Sequence, residues 1–228
     1  MIKNEGYSKM KFWLKTANVN RALECLNYGI FEGIISNPAD VSQENIGPKK
    51  LFKALCNVAP KVYYQIQDGS VEGMTKEAED MIGIEPDKML IKVPATRNGI
   101  AVIKKLTDQG LQVMATAVPT SPWMIFAIAA GAVAIAPYSG MLKSRNIISK
   151  YEGVFAMQEV IDSQGYDVEI CTGIYHATEI PLYASQGIKQ AFIWEKDVEN
   201  YLTQDLADEA AAAYDKDWQN IKAIINKN

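Results

Sequence analysis

Histidine is almost absent. The 228-residue chain has one, His176, which removes His-based catalytic triads and multi-histidine metal sites from consideration. Cysteine is scarce too. Cys25, Cys56 and Cys171 are widely spaced and odd in number, so neither a disulfide framework nor a CxxC zinc or redox site is indicated. There is no excess of positive charge: 23 Lys and Arg face 27 Asp and Glu, for a net charge of -4, which argues against a nucleic-acid partner. The longest apolar run, from Trp123 to Pro137, falls short of the roughly 20 residues of a membrane span. The opening MIKNEGYSK is polar and has no apolar core of the kind a signal peptide carries. A reduced, cytoplasmic protein with no membrane contact is expected.

What is present is ordinary globular composition, 48% hydrophobic and 22% charged, arranged with a strong period. Short β-rich runs recur every 20 to 30 residues or so, each followed by a helical pattern, as in βα units. They are KFWLKT (11–16), EGIISN (32–37), KVYYQIQ (61–67), MLIKVPA (89–95), QVMATAV (112–118), VAIAPYS (133–139), VEICTGI (168–174) and QAFIWE (190–195). Eight such runs point to a closed (β/α)₈ barrel, an α/β fold, rather than an open sheet. Asn18, Ser70, Thr96 and Ser121 stand where helix N-caps belong, and Gly29, Gly110, Gly165 and Gly187 where left-handed helix ends belong. Val19, Leu23 and Leu26 read as the apolar stripe of the first helix. The whole chain, 1–228, is expected to be one domain, with 1–9 an N-terminal extension and about 197–228 a C-terminal helical tail, one helix more than closing a barrel needs.

Barrel active sites lie at the C-terminal ends of the strands, where inward residues alternate with helix-facing ones. Six polar side chains fall late in otherwise apolar strands: Lys15, Asn37, Gln65, Lys92, Thr116 and Tyr138. Lys92, in Leu90-Ile91-Lys92-Val93-Pro94, is the sharpest of them. Pointing into the mouth, it would lose solvation and offer a neutral amine to a carbonyl; otherwise it snorkels to solvent as an unreactive lysine.

Along the chain come Met10-Lys-Phe-Trp-Leu-Lys-Thr-Ala-Asn-Val, Gly33-Ile-Ile-Ser-Asn-Pro, Ile91-Lys-Val-Pro-Ala-Thr with Gly99 and Ile103-Lys104, Ala115-Thr-Ala-Val, Ala136-Pro-Tyr and Asp217-Trp218. These motifs, in this order, resemble the transaldolase family, in particular its short-chain, fructose-6-phosphate aldolase-like branch. The resemblance spans about residues 10 to 220. It implies that Lys92 forms a Schiff base with a ketose or ketone donor. A catalytic water would be held by Gln65, Thr116 and Tyr138, and the Gln/Tyr pair is similar to the aldolase members. Asn37, with Ser36 beside it, would contact the donor. Neither cofactor nor metal is implied. The partners would be a small ketose or ketone and an aldehyde, together with copies of the chain itself, in pentamers or decamers whose last helix reaches a neighbour.

Two departures shape the expected function. The strand-one aspartate of the family's L-D-T/S pattern is Lys15 here. If Lys15 enters the mouth, two ammonium groups at about 5 Å repel by roughly 3 kcal/mol at an effective dielectric near 20, leaving one lysine neutral; alternatively Lys15 turns to solvent. The phosphate anchors also differ. Ser139-Gly140-Met141 stands where the family has Asn-Arg, with Lys143 and Arg145 just beyond, and Cys171-Thr-Gly-Ile-Tyr-His176 replaces Ala-Ser-Phe-Arg/Lys. His176 becomes a candidate at the mouth. The reading is a Schiff-base aldolase-like enzyme of carbohydrate metabolism. Its alternatives are a transaldolase moving a dihydroxyacetone unit, and a catalytically impaired member with a binding or regulatory role.

Overall fold

The computed structural model describes residues 9–145 and 149–225, so nearly all of the expected 1–9 extension lies outside the described residues. Eight parallel strands close into a barrel in chain order: β1 (Lys11–Lys15), β2 (Phe31–Ile35), β3 (Val62–Gln65), β4 (Met89–Pro94), β5 (Val113–Val118), β6 (Ala134–Pro137), β7 (Glu169–Gly173) and β8 (Gln190–Trp194). The last strand pairs with the first, Lys15 opposite Trp194. Between them run α1 (Val19–Leu26), α2 (Pro38–Val41), α3 (Pro48–Val58), α4 (Val71–Ile82), α5 (Arg97–Asp108), α6 (Ser121–Ala129), α7 (Ser139–Ser144), α8 (Lys150–Gln164) and α9 (Glu179–Ser185). This is the (β/α)₈ barrel that the eight-fold periodicity predicts. Residues up to Glu195 form one compact unit and those from Lys196 a second, made of α10 (Val198–Leu202) and α11 (Asp205–Ile225). Among the described residues no helix is long and apolar enough to cross a membrane.

Local chemistry sets the element ends. Asn18, Ser70 and Thr96 each accept a hydrogen bond from the backbone N–H three residues on, at Arg21, Gly73 and Gly99, satisfying a donor that the helix itself leaves orphaned. Ser121 does not cap. It is the first residue of α6 and Thr120 the cap, because Pro122, with φ preset for a first turn, starts the helix one residue earlier. The four glycines read as helix ends all have positive φ, from 63° to 82°. The face of α1 also differs from expectation. Ala22 and Cys25 are buried and Leu23 is exposed, so the helix rests on its short side chains.

The barrel interior is a packed core. Trp13, Ile35, Tyr63, Met114, Ala134, Ala136 and Cys171 form one buried cluster with Leu90 and Phe192 against it. All of these come from strands, as an interior layer requires. Trp13 meets Tyr63 edge-on at 4.7 Å between ring centres, and its indole N–H donates to Gln190 Oε1 at 2.8 Å. Gln190 in turn donates to Glu169, which pairs with Lys11 at 3.1 Å. These polar groups close the N-terminal end of the barrel with their hydrogen bonds made.

Candidate active site

The two-residue period of a strand carries this core up to the mouth. One inward step beyond Trp13, Tyr63, Leu90, Met114 and Ala136 lie Lys15, Gln65, Lys92, Thr116 and Tyr138. These five, with Asn37 from the start of α2, line a cavity of about 370 Å³ at the C-terminal ends of the strands, and Gln67 and Phe192 complete much of its wall. Strand register places Gln65 beside Lys92 and Pro94 beside Thr116. Next to Thr116, Ala117 also lines the cavity and takes φ +55°, where the β5–β6 register shifts. A non-glycine residue in that region is strained, and such irregularities cluster at functional sites, where they re-aim a side chain. Among the described residues, the side chains of Gln65, Thr116 and Tyr138 have no hydrogen-bond partner within the protein, so their polar ends are free to meet solvent or substrate.

Two sequence candidates lie elsewhere. Ser36 is buried, its hydroxyl donating to Tyr63 O at 3.3 Å; what it offers the cavity's lysine is its backbone carbonyl. His176 is exposed in the turn between β7 and α9, with its carbonyl accepting from Glu179 N at 2.9 Å, and is not part of the cavity wall.

Lys92 is 6% exposed and donates to Ser36 O at 2.9 Å. Burial pushes its amine down from 10.5 to about 8, Lys15 acts in the same direction, and Asp40 acts against them. The Cys171 thiol favours the ammonium only when ionised, and burial pushes that thiol itself up to about 12. Loss of solvation is therefore the main cause of the shift. Relative to an ordinary lysine, ~300-fold more of Lys92 is neutral at pH 7.

Lys15 does enter the mouth, but not as an unopposed charge. Its Nζ meets both oxygens of Asp40, at 2.6 and 2.5 Å. Asp40 also accepts from Asn37 N at 2.9 Å, while Asn37 Oδ1 accepts from Asp40 N at 3.1 Å. This reciprocal capping box opens α2. Asp40 is the site residue that sequence reasoning missed. Its signal was the spacing Asn37-Pro38-Ala39-Asp40, a cap followed three residues later by an acid.

The β6–β8 side of the mouth is aromatic. Phe192 packs on Trp194 at 5.1 Å and Trp194 on Tyr175 at 4.7 Å. Gly173 makes this stacking possible, since a Cβ there would come within 3.0 Å of both the Phe192 and Trp194 rings. Lys143 and Arg145 are exposed and lie outside the cavity wall.

A second buried lysine sits behind this wall. Lys150 Nζ reaches both Glu179 oxygens, at 2.6 and 2.7 Å, and lies 4.1 Å from the centre of the Tyr175 ring. Burial works against the Glu179 charge, but donors from Lys150, Tyr175 N and Tyr151 hold its carboxyl below the usual range. Nothing in the local sequence announces this pair, because its partners are 29 residues apart.

The fold and site together define a (β/α)₈ barrel with a desolvated amine at the centre of its C-terminal face. The chain belongs to the transaldolase/fructose-6-phosphate aldolase family, whose model matches residues 12–180. It is 29% identical over 224 residues to a probable transaldolase of Thermodesulfovibrio yellowstonii, covering 93% of this chain and 100% of that one. It is 27% identical over 214 residues to a probable transaldolase of Alkaliphilus metalliredigens, with 93% and 99% covered. A probable transaldolase of Cytophaga hutchinsonii is 33% identical over 138 residues, 58% of this chain and 63% of its own. Family and relatives point to an enzyme of the transaldolase or aldolase type.

Proposed function

We propose that this protein is a Schiff-base aldolase-like enzyme that makes or breaks a carbon–carbon bond of a small ketone or ketose. The observation that carries the reading is Lys92, a buried amine lowered to about 8 and opening onto a cavity lined by three uncommitted polar side chains. The neutral amine adds to the donor carbonyl, and loss of water leaves an iminium on Nζ. The C3–C4 electron pair then flows into the iminium to give an enamine, while the hydroxyl on C4 gives up its proton to become a carbonyl and the C4 fragment leaves as an aldehyde. Protonation of the enamine and hydrolysis return the lysine and release the ketone. A water held by Gln65, Thr116 and Tyr138 relays these protons, with Asn37 against the donor hydroxyls.

The donor in this reading needs no phosphate. A phosphate dianion is normally held by Arg, Lys or free helix N–H groups. Among the described residues, the cations in the cavity wall are Lys15 and Lys92, the first engaged by Asp40 and the second serving as nucleophile. Product analysis tests the reaction type. Cleavage of a ketose to free aldehyde and ketone without an added acceptor fits the aldolase. Turnover only when an acceptor aldehyde is supplied fits the transfer reaction that the relatives' names favour. No product under either condition, with any ketose or ketone tried, contradicts both.

The same reading includes a homo-oligomer, a pentamer or decamer. Its support is α11, whose Tyr214, Trp218, Ile221 and Ile225 recur at helical spacing and are all exposed, an apolar row of the kind that a partner covers. Light scattering tests it, and a 25 kDa monomer removes it.

A further inference from the structure

Two lysines line one cavity, and the structure treats them differently. Lys15 and Lys92 both reach the cavity wall, so a carbonyl bound there faces two amines. Lys92 touches one neutral acceptor, the Ser36 carbonyl at 2.9 Å. Lys15 is held by both oxygens of a carboxylate that is itself fixed in place. Asp40 is the third residue of α2 and accepts from Asn37 N at 2.9 Å, so the backbone of the turn aims it at β1. The Lys15 and Asp40 side chains keep only 10% and 20% of their exposure, which limits competition from water for the pair.

We propose that Asp40 is a positioning residue that engages the Lys15 amine and balances its charge beside Lys92, so that an imine forms on Lys92 alone. This rests on the imine reading of Lys92 and goes beyond it by naming what selects between the two amines. It also gives Lys15 a place in the site that does not require one bare ammonium to repel another. The titratable or charged groups that act on Lys92 are Lys15 from β1, Asp40 from α2 and Cys171 from β7. Burial pushes up both the Cys171 thiol and the Tyr63 hydroxyl of the interior layer, leaving Lys15 and Asp40 as the opposed pair that sets the local charge near neutral pH.

The test reads the Lys92 amine without requiring an imine. The purified chain is labelled with dilute acetic anhydride across pH 6 to 10, and the acetylated fraction at Lys92 is followed by peptide mass. Asp40→Asn should move the Lys92 midpoint down and Lys15→Met should move it up. Each shift should be about 0.5 to 1 unit, a roughly three- to tenfold change in reactive amine below the midpoint. The double variant should return to the wild-type midpoint, a cancellation that loss of structure would not produce. Asp40→Glu, which keeps the carboxylate, should leave the midpoint where it is in the wild type. Lys15→Met spares the capping box, so the proposal stays testable if Asp40→Asn disturbs α2. Borohydride trapping with dihydroxyacetone then reads the selection: one adduct, at Lys92, in the wild type and Asp40→Glu, and a second adduct at Lys15 in Asp40→Asn. Single variants that leave the Lys92 midpoint unmoved, or shift it the same way, overturn the proposal, as does an Asp40→Asn protein that still traps at Lys92 alone. Opposite shifts with no adduct on any variant overturn the imine reading and with it the selection, leaving the charge balance measured on its own.

Discussion

Lys92 and Lys150 are both buried, 6% and 5% exposed, and the barrel holds them in opposite ways. Lys150 is matched with a carboxylate, further donors complete the shell of that carboxylate, and Tyr175 lies against its ammonium. Lys92 has a backbone carbonyl on one side and a cavity on the other. Burial pulls the Lys150 amine down as well, but the Glu179 carboxylate opposes it through a charge-assisted hydrogen bond that Lys92 does not have. A buried amine denied a carboxylate relieves its desolvation by giving up a proton, and so becomes a nucleophile at moderate pH. One lysine supports the shape of the mouth, since Glu179 also accepts from Tyr175 N at 2.9 Å. The other faces into it.

Exchanging the two roles by mutation should expose the difference. Lys92→Met should lower turnover by at least about a thousandfold, as loss of a covalent nucleophile does, while Lys150→Met should keep imine trapping per folded molecule. Equal losses from both would erase the distinction. On stability the order reverses. Lys150→Met strands Glu179 without its cation and should cost about 3–5 kcal/mol in urea unfolding; Lys150→Met combined with Glu179→Leu should recover much of that. A cost below about 1 kcal/mol for the single variant would mean that the pair is not held as described.

The third difference is in pH dependence. Lys92 stands at about 8 in the fold against 10.5 ordinarily, so the folded state binds its proton less well than the unfolded chain. Below pH 8 both states are protonated and the fold carries the full penalty; the penalty shrinks as pH rises from 8 and is gone above 10.5. Lys92→Met should therefore be more stable than wild type by up to about 3 kcal/mol at pH 7, with the gain fading across that window. A gain that does not change with pH would put its origin in packing instead. The smallest effect concerns substrate. With both lysines of the cavity wall committed, fructose 6-phosphate and its unphosphorylated analogue should differ in kcat/KM by less than about tenfold. A strong preference for the phosphate ester would bring Lys143 or Arg145 into the site.

How much of this was legible in the chain depended on whether the signal was local. Strand period and helix caps are local, so the eight strands and the caps at Asn18, Ser70 and Thr96 could be read directly. The mouth residues followed from the same two-residue period, because Lys15, Gln65, Lys92, Thr116 and Tyr138 each sit one inward step above an interior residue. What could not be read was partnership. Lys15 looked like an unopposed cation because Asp40 lies 25 residues away, joined to it only once β1 and α2 share the barrel rim. Ser36 was named for its place beside Asn37 and His176 for its place just past the seventh strand, and a place in the sequence does not fix where a side chain goes. The helix phase of α1 was misjudged for a related reason: leucine spacing alone does not say which face the barrel accepts.

The most direct measurement is borohydride trapping with dihydroxyacetone and with hydroxyacetone, read by intact mass and then by peptide mapping, in wild type and Lys92→Met across pH 6 to 9. A single reduced adduct is expected on the wild type, mapped to Lys92 and forming faster as pH rises toward about 8, with no adduct on Lys92→Met. An adduct of equal yield on Lys92→Met, or none on the wild type with either donor, would contradict it.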